Sequence, residues 1–278
     1  MGYTGTAIAA AAAALGFQVT ATSRSPARLT APPGVSLISF DSAAEVLPTV
    51  THLLQTAAPD DEGDPALTRY AAGIAAAPLI WLGYLSTTGV YGDRGGAWVD
   101  EDTAPAPSAE RGQRRLDAEN EWRQAVAGRA LDLFRVAGIY GPGRSPFAEI
   151  RAGRTRRVDK PGHAFGRIHR DDIALAVLAA MQSPHGVRVL NLNDDEPAPS
   201  ADVTAEAARL LGLDAPPLVP FAQAVQSMSE MGRSFWAESR RVHSAATQVR
   251  LGLRWRYPSY REGLAATLLE ERRQGLAE

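Results

Sequence analysis

Residues 78–92, Pro-Leu-Ile-Trp-Leu-Gly-Tyr-Leu-Ser-Thr-Thr-Gly-Val-Tyr-Gly, constrain this chain more than any other stretch. An apolar run bounded by Pro78 that stops at Ser86, Thr87, Thr88 and Gly89 predicts a strand buried on both faces and ending in hydroxyls. Strands buried on both faces belong to parallel sheets covered by helices, and such sheets bind ligands at the carboxyl ends of their strands. The stretch therefore predicts both a fold class and the edge of the fold where a site lies.

The rest of the chain alternates accordingly. Strand patterns fall at 17–22, 35–40, 51–56, 130–139 and 187–192; helical runs end near Leu15 and cover 65–77, 108–126, 173–182 and 200–211, with 43–49 a short helix or turn. Strand–helix alternation of this kind predicts an α/β fold with a Rossmann-like, doubly wound, mostly parallel sheet. At 278 residues and 45% hydrophobic, the chain is long enough for one large domain or one domain with a smaller appended lobe. After Gly212 the composition shifts to Pro216, Pro217 and Pro220 and then to a segment rich in Met, Ser and Trp. Asp64 before Pro65 predicts a helix start, so the acidic run 60–64 reads as a solvated turn and cap rather than a metal site.

The first residues, Met1-Gly2-Tyr3-Thr4-Gly5, open a helix with Gly-x-x-Gly spacing. Glycine there lets backbone approach a pyrophosphate while the helix start supplies N–H donors, so Gly2, Tyr3, Thr4 and Gly5 are cofactor-binding candidates. The spacing matches the back half of the dinucleotide fingerprint; its first glycine and preceding strand are absent, and the expectation is a truncated first strand, with the natural chain starting earlier. At the end of the next strand come Ser23 and Arg24, where an acidic residue would select NAD. An arginine suits the 2′-phosphate of NADP, or is a solvated loop residue.

A net charge of -2 and a pI near 6.2 give no electrostatic reason to expect nucleic acid. No apolar run reaches the ~18 residues a bilayer span needs, and the Ala-rich start lacks the basic residues and cleavage site of a signal peptide. With no cysteine, the chain has neither disulfides nor thiolate chemistry, which suits the cytoplasm. Five scattered histidines, with no pair at helix-face spacing, give no metal site. Lys160 is the only lysine, so a lysine-dependent mechanism has one candidate.

The order of motifs resembles the extended short-chain dehydrogenase/reductase superfamily, the NAD(P)-dependent epimerase/dehydratases. Ser86-Thr87-Thr88-Gly89-Val90-Tyr91-Gly92 is similar to the family's catalytic Ser/Thr strand end, and 134–143, Phe-Arg-Val-Ala-Gly-Ile-Tyr-Gly-Pro-Gly, is similar to the segment that passes the nicotinamide. Arg167-Ile168-His169-Arg170-Asp171-Asp172 and Asn191-Leu192-Asn193-Asp194 resemble later family segments. The resemblance implies a single NAD(P)-binding domain over 1–278, with a substrate lobe from about 144–170 and 213–260. It implies NADP (or NAD) as cofactor, a small-molecule substrate, and oxidoreductase or epimerase-like activity, the alternative being a non-catalytic NAD(P)-binding sensor or scaffold. Thr87 is the expected substrate-holding hydroxyl, with Ser86 and Thr88 as neighbours. Thr56 and Ala57 would pass the adenine ribose, and Ala137 and Gly138 the nicotinamide.

The chain departs from the family where its tyrosine and lysine, four residues apart, should follow the Ser/Thr strand. Anchored on Glu119, those positions are Arg111 and Arg115. Residues four apart share a helix face, so both either enter the cleft or pair with Asp117 and Glu119 on a solvated face. A guanidinium stays protonated and cannot cycle as an acid or base near neutral pH, so the tyrosine mechanism is expected to be absent. Any activity would then use Thr87, another donor such as Tyr91, or water.

Overall fold

The computed structural model describes residues 1–276. Its main elements are α1 (Tyr3–Ala14), β1 (Val19–Ser23), β2 (Val35–Ser39), β3 (His52–Gln55), α2 (Pro65–Ala76), β4 (Trp81–Thr87), α3 (Glu110–Ala125), β5 (Ala130–Val136), α4 (Arg170–Gln182), β6 (Val187–Leu192), α5 (Ser200–Leu210), α6 (Glu230–Ala237), α7 (Ala245–Leu251) and α8 (Tyr260–Arg273). Strands β6, β5, β4 and β3 form one wholly parallel sheet in that order, and β1 and β2 form a separate parallel pair. No strand lies between β1 and β3 among the described residues; the Met1 amine instead donates to the Thr22 carbonyl at the end of β1.

Side-chain alternation decides which face each residue serves. On β4, Trp81 and Leu85 join Ile8 of α1 and Ile173 and Val177 of α4 on one face. Leu82 and Tyr84 turn to the other, against Ile74 of α2 and Trp122 of α3. Burying side chains of this size contributes roughly 1.5–3 kcal/mol each, enough to fix the register of a strand whose faces are both covered. Helices on both faces of a parallel sheet make the fold Rossmann-like and doubly wound, as the alternation predicts.

Three boundaries differ from the sequence reading. The strand expected over 130–139 divides at Ala137: the Gly138 N–H donates to the Gly166 carbonyl, and Gly138–Tyr140 leaves the main sheet to pair with Arg167–His169. Helix α3 starts after Ala109, because the Ser108 hydroxyl donates to Glu238 instead of capping. Helix α4 starts at Arg170, three residues early, because the His169 ring accepts from the Asp171 N–H and serves as its cap. Asp64 does cap α2, accepting from Ala66 and Leu67 at 2.9 and 3.2 Å.

The open edge of β6 is covered by α7. Thr247 accepts the Asn191 N–H at 2.8 Å and Arg250 donates to the Val189 carbonyl, so the edge is not free to recruit another strand there. Two further parallel pairs tie distant segments: Arg157–Asp159 with Leu218–Pro220, and Trp98–Val99 with Arg241–Val242. No helix among the described residues is long and apolar enough to cross a membrane.

Candidate active site

Parallel strands bring their carboxyl ends to one edge. In register, Thr87 lies beside Val136, and Val136 beside Leu192, so Thr87, Ala137 and Gly138 meet there. Helix α1 begins near the same edge: a Cβ on Gly5 would come 3.4 Å from Thr56 Oγ1 at the end of β3. The N-cap of α1, Gly2, has no side chain to satisfy the first-turn amides, that turn has no acidic residue, and nothing lies within 4 Å of where a Gly2 Cβ would be. Uncapped amides with open space before them suit an anionic group. Thr4 is buried beneath this turn, and the Tyr3 hydroxyl donates to the Pro142 carbonyl at 3.0 Å. Ser23 accepts from the Ser25 N–H, Arg24 is exposed at the end of β1, and Ala57 is exposed beyond Thr56.

The three hydroxyls have different surroundings. The Gly89 N–H donates to Thr87 Oγ1 at 3.1 Å, which orients the hydroxyl and leaves its own proton to donate outward. Ser86 faces α3 and donates to Glu119 at 2.6 Å, so its proton is committed inward. Thr88 is buried in the turn that follows. That turn is held by close backbone approach: a Cβ on Gly112 of α3 would sit 2.9 Å from the Gly89 carbonyl, and at Gly92 (φ +68) one would come 1.9 Å from the Ala106 carbonyl.

Behind Ser86 runs a buried polar chain. Arg135, 3% exposed, pairs bidentately with Glu119, 1% exposed, at 3.1 and 2.8 Å. The Arg135 guanidinium lies 4.8 Å from the Tyr91 ring centroid, the Tyr91 hydroxyl donates to Asn191 at 2.8 Å, and Asn191 leads through Thr247 to Glu101. Each buried polar group thereby finds a partner. Sequence reasoning used Glu119 only as an anchor and missed Arg135, Asn191, Thr247 and Glu101. The available signal was Arg135 itself, a cation inside the apolar strand Leu131–Val136, where alternation turns it toward α3.

The two helix arginines part company. Arg115 Nη1 donates to the Leu85 carbonyl at 2.6 Å, near the end of β4, and its guanidinium lies over the Tyr84 ring. Exposed Arg111 lies over Phe235 of α6, 5.9 Å from the ring centroid. Neither pairs with Asp117 or Glu119: Asp117 takes Gln113 and Glu119 takes Ser86 and Arg135. Tyr91 is a poor proton donor, since it is fully buried, its hydroxyl is already bonded to Asn191, and burial raises its pKa against the opposing Arg135 charge.

Just past the end of β6, Asp194 is 1% exposed and neither carboxylate oxygen makes a hydrogen bond of good geometry. Burial pushes its pKa up to about 8, with the Arg167 charge opposing. Burial likewise pushes Asp172 up to about 6 against the amides of Arg256 and Tyr257, and pushes His169 down to about 4. Among the described residues no group of three His, Asp or Glu is placed to hold a metal ion.

No family model matches the chain. A solved structure of a functionally unknown conserved protein from Silicibacter pomeroyi is 44% identical, with TM-score 0.89 over 97% of this chain and 96% of that one. A protein from Methylobacillus flagellatus, assigned to the NAD-dependent epimerase/dehydratases, is 26% identical with TM-score 0.70 over 98% and 96%. The human epimerase family protein SDR39U1, solved with NADPH, shares the fold at 20% identity and TM-score 0.74, over 96% of each chain. Among curated proteins, Escherichia coli YeeZ is 35% identical over 135 residues, 48% of this chain and 47% of YeeZ. A Streptomyces 3-diazoavenalumate denitrifying reductase is 28% identical over 177 residues, 60% of this chain and 58% of its own. The matched segments thus span about half the length of these curated relatives.

Proposed function

We propose that this chain, similar over nearly its whole length to a protein described as an NAD-dependent epimerase/dehydratase, is an NADP(H)-dependent oxidoreductase, or epimerase-like enzyme, of the extended short-chain dehydrogenase/reductase kind, acting on a small carbonyl or hydroxyl substrate. The observation that carries the reading is Thr87, whose hydroxyl is oriented by Gly89 at the carboxyl edge and keeps its proton for a substrate oxygen. The amides of Gly2 to Gly5 would hold the pyrophosphate, Thr56 and Ala57 the adenosine, and Ala137 and Gly138 the nicotinamide. Ser23 and Arg24 would take the 2′-phosphate, a reading supported by the exposed guanidinium-bearing residue at the end of β1. When bound, the nicotinamide supplies or accepts the hydride.

The protein's own task is to orient the substrate and manage one proton. Thr87 holds the substrate oxygen, and Arg115, fixed to the Leu85 carbonyl, adds positive charge near that strand end. A guanidinium does not release a proton near neutral pH and Tyr91 is committed to Asn191, so in a reduction the proton that the new hydroxyl gains is delivered by water. Segments 144–170 and 213–260 form the substrate lobe, a reading supported by the pairing of Arg157–Asp159 with Leu218–Pro220. The Streptomyces reductase favours reduction over epimerisation.

The missing Tyr/Lys pair favours a second reading, a cofactor-binding sensor without turnover. A panel of aldehydes, ketones and sugar-nucleotide alcohols, assayed by hydride transfer with NADPH and NADP, separates the two. Turnover that Thr87→Ala removes supports the enzyme; saturable binding with no turnover on any member supports the sensor.

A further inference from the structure

Helix α6 lies almost wholly on the surface. Of its described residues only Gly232 and Trp236 escape full exposure, and Phe235 is 58% exposed. Among its described residues this eight-residue helix has one half-buried aromatic side chain, Trp236, to hold it against local opening. Its attachments fall on two sides. Toward α3, Ser108 donates to Glu238 and Arg111 lies over Phe235. On the other side, the Trp236 ring packs 5.0 Å from Phe165, 5.3 Å from His163 and 5.4 Å from Phe221, and Lys160 donates to the Trp236 carbonyl. Just beyond the helix, the Ser239 N–H donates to Asp93 and Arg240 donates to the Gly92 carbonyl, in the loop that leaves the Thr87 turn. Segment 229–240 therefore ties α3 to residues 160–165 beside the candidate site.

Against Trp236 sits a polar atom without a partner. His163 is 4% exposed and its Nε2 lies 3.0 Å from the Glu238 carbonyl. A carbonyl only accepts, so Nε2 carries the proton and Nδ1 holds the lone pair. That Nδ1 is buried with no hydrogen-bond partner. Burial, with the Lys160 charge adding to it, holds the ring neutral by lowering its pKa. A buried acceptor left unpaired costs about 1–3 kcal/mol, a cost removed if the acceptor has a donor in another state of the protein.

We propose that residues 229–240 form a lid latched by Trp236, and that its opening frees the His163 ring from the Glu238 carbonyl and exposes it as the hydrogen-bonding partner of a polar group on a planar substrate seated beside Phe165. The proposal rests on the reading of the Thr87 edge as the active site and deepens it, by naming the group that recognises the substrate. Phe165 and Trp236 supply faces for a planar ring, and His163 supplies its polar contact.

Diethyl pyrocarbonate, which modifies neutral, accessible imidazoles, tests this at pH 7 with mass spectrometry resolving each histidine. In Trp236→Ala, His163 should react about tenfold faster than in wild type, as expected when a latch worth roughly 1.4 kcal/mol is removed. His52, His169, His185 and His243 should keep their wild-type rates and report the intact fold. Should Trp236→Ala accelerate all five, Trp236→Phe decides, with selective acceleration of His163 again expected. An unchanged His163 rate with the other four also unchanged, or a wild-type His163 already as reactive as exposed His185, would overturn the lid. NADPH titration of the same variants is a separate readout: absent cofactor binding alongside the expected His163 kinetics would refute the active-site reading and leave the lid standing.

Discussion

Ser86 donates its hydroxyl to Glu119 at 2.6 Å, while the next residue, Thr87, points to the opposite side of the strand. The strand end thus commits the Ser86 hydroxyl inward to Glu119, while the proposed function gives the Thr87 hydroxyl to the substrate. Ser86→Ala should therefore cost about 1–2 kcal/mol of stability and leave cofactor affinity near wild type. Thr87→Ala should leave stability nearly unchanged while lowering kcat by roughly 10²–10³ on any substrate found, with Thr87→Ser largely restored. Equal losses of kcat in Ser86→Ala and Thr87→Ala would reverse the assignment.

The Glu119–Arg135 pair predicts a second outcome. Glu119→Ala leaves a guanidinium uncompensated at 3% exposure, so urea unfolding should show a loss of about 3–5 kcal/mol. Adding Arg135→Leu should recover part of that loss, because the stranded charge is then gone. A loss under about 1 kcal/mol in Glu119→Ala would mean that water reaches the pair.

Cofactor choice turns on Arg24. One charge-assisted bond to a phosphate contributes roughly 1.5–3 kcal/mol, so Arg24→Ala should weaken NADPH by about one to two decades and leave NADH unchanged. Isothermal titration measures both; parallel changes for the two cofactors would place Arg24 away from the 2′-phosphate.

Asp194 predicts a pH dependence of stability. Its pKa rises from 3.8 to about 8 on folding, so between those values the folded state holds the extra proton and stability falls as pH rises. His169, lowered from 6.5 to about 4, acts the other way below pH 6.5, and Asp172, raised to about 6, adds to the fall there. The cleaner window is pH 6.5 to 8, where Asp194 accounts for a loss of ~2 kcal/mol, offset in part by the Met1 amine, whose pKa burial lowers. Asp194→Asn should remove the downward slope that Asp194 contributes. Identical slopes for the two proteins, from denaturant titrations across the window, would show that Asp194 is ionised throughout.

The core and its edge were legible because buried strands announce themselves: Trp81 to Ser86 is uninterrupted, and Leu131 to Val136 lies beside it in register. Cap chemistry at Asp64 was legible too, since an Asp before Pro65 has few other uses. The break at Ala137 was not, because it depends on a partner strand, Arg167–His169, some thirty residues downstream. The start of α3 was misplaced for a similar reason: Ser108 is drawn away from capping by Glu238, 130 residues later. The polar chain from Ser86 to Glu101 assembles from residues scattered between positions 86 and 247, and periodicity carries no information about such long-range partners. The same holds for His163 and Trp236, which meet only through tertiary packing.

The central claim is that the edge formed by Gly2–Gly5, Thr56, Thr87 and Ala137–Gly138 binds NADP(H). Isothermal titration of NADPH into wild type and Gly5→Val tests it most directly, because any Cβ at position 5 already comes 3.4 Å from Thr56 Oγ1 and a branched side chain fills the approach. The account predicts one saturable site per chain in wild type and its loss in a folded Gly5→Val protein. Absence of binding in wild type, or undiminished binding in Gly5→Val, would contradict it.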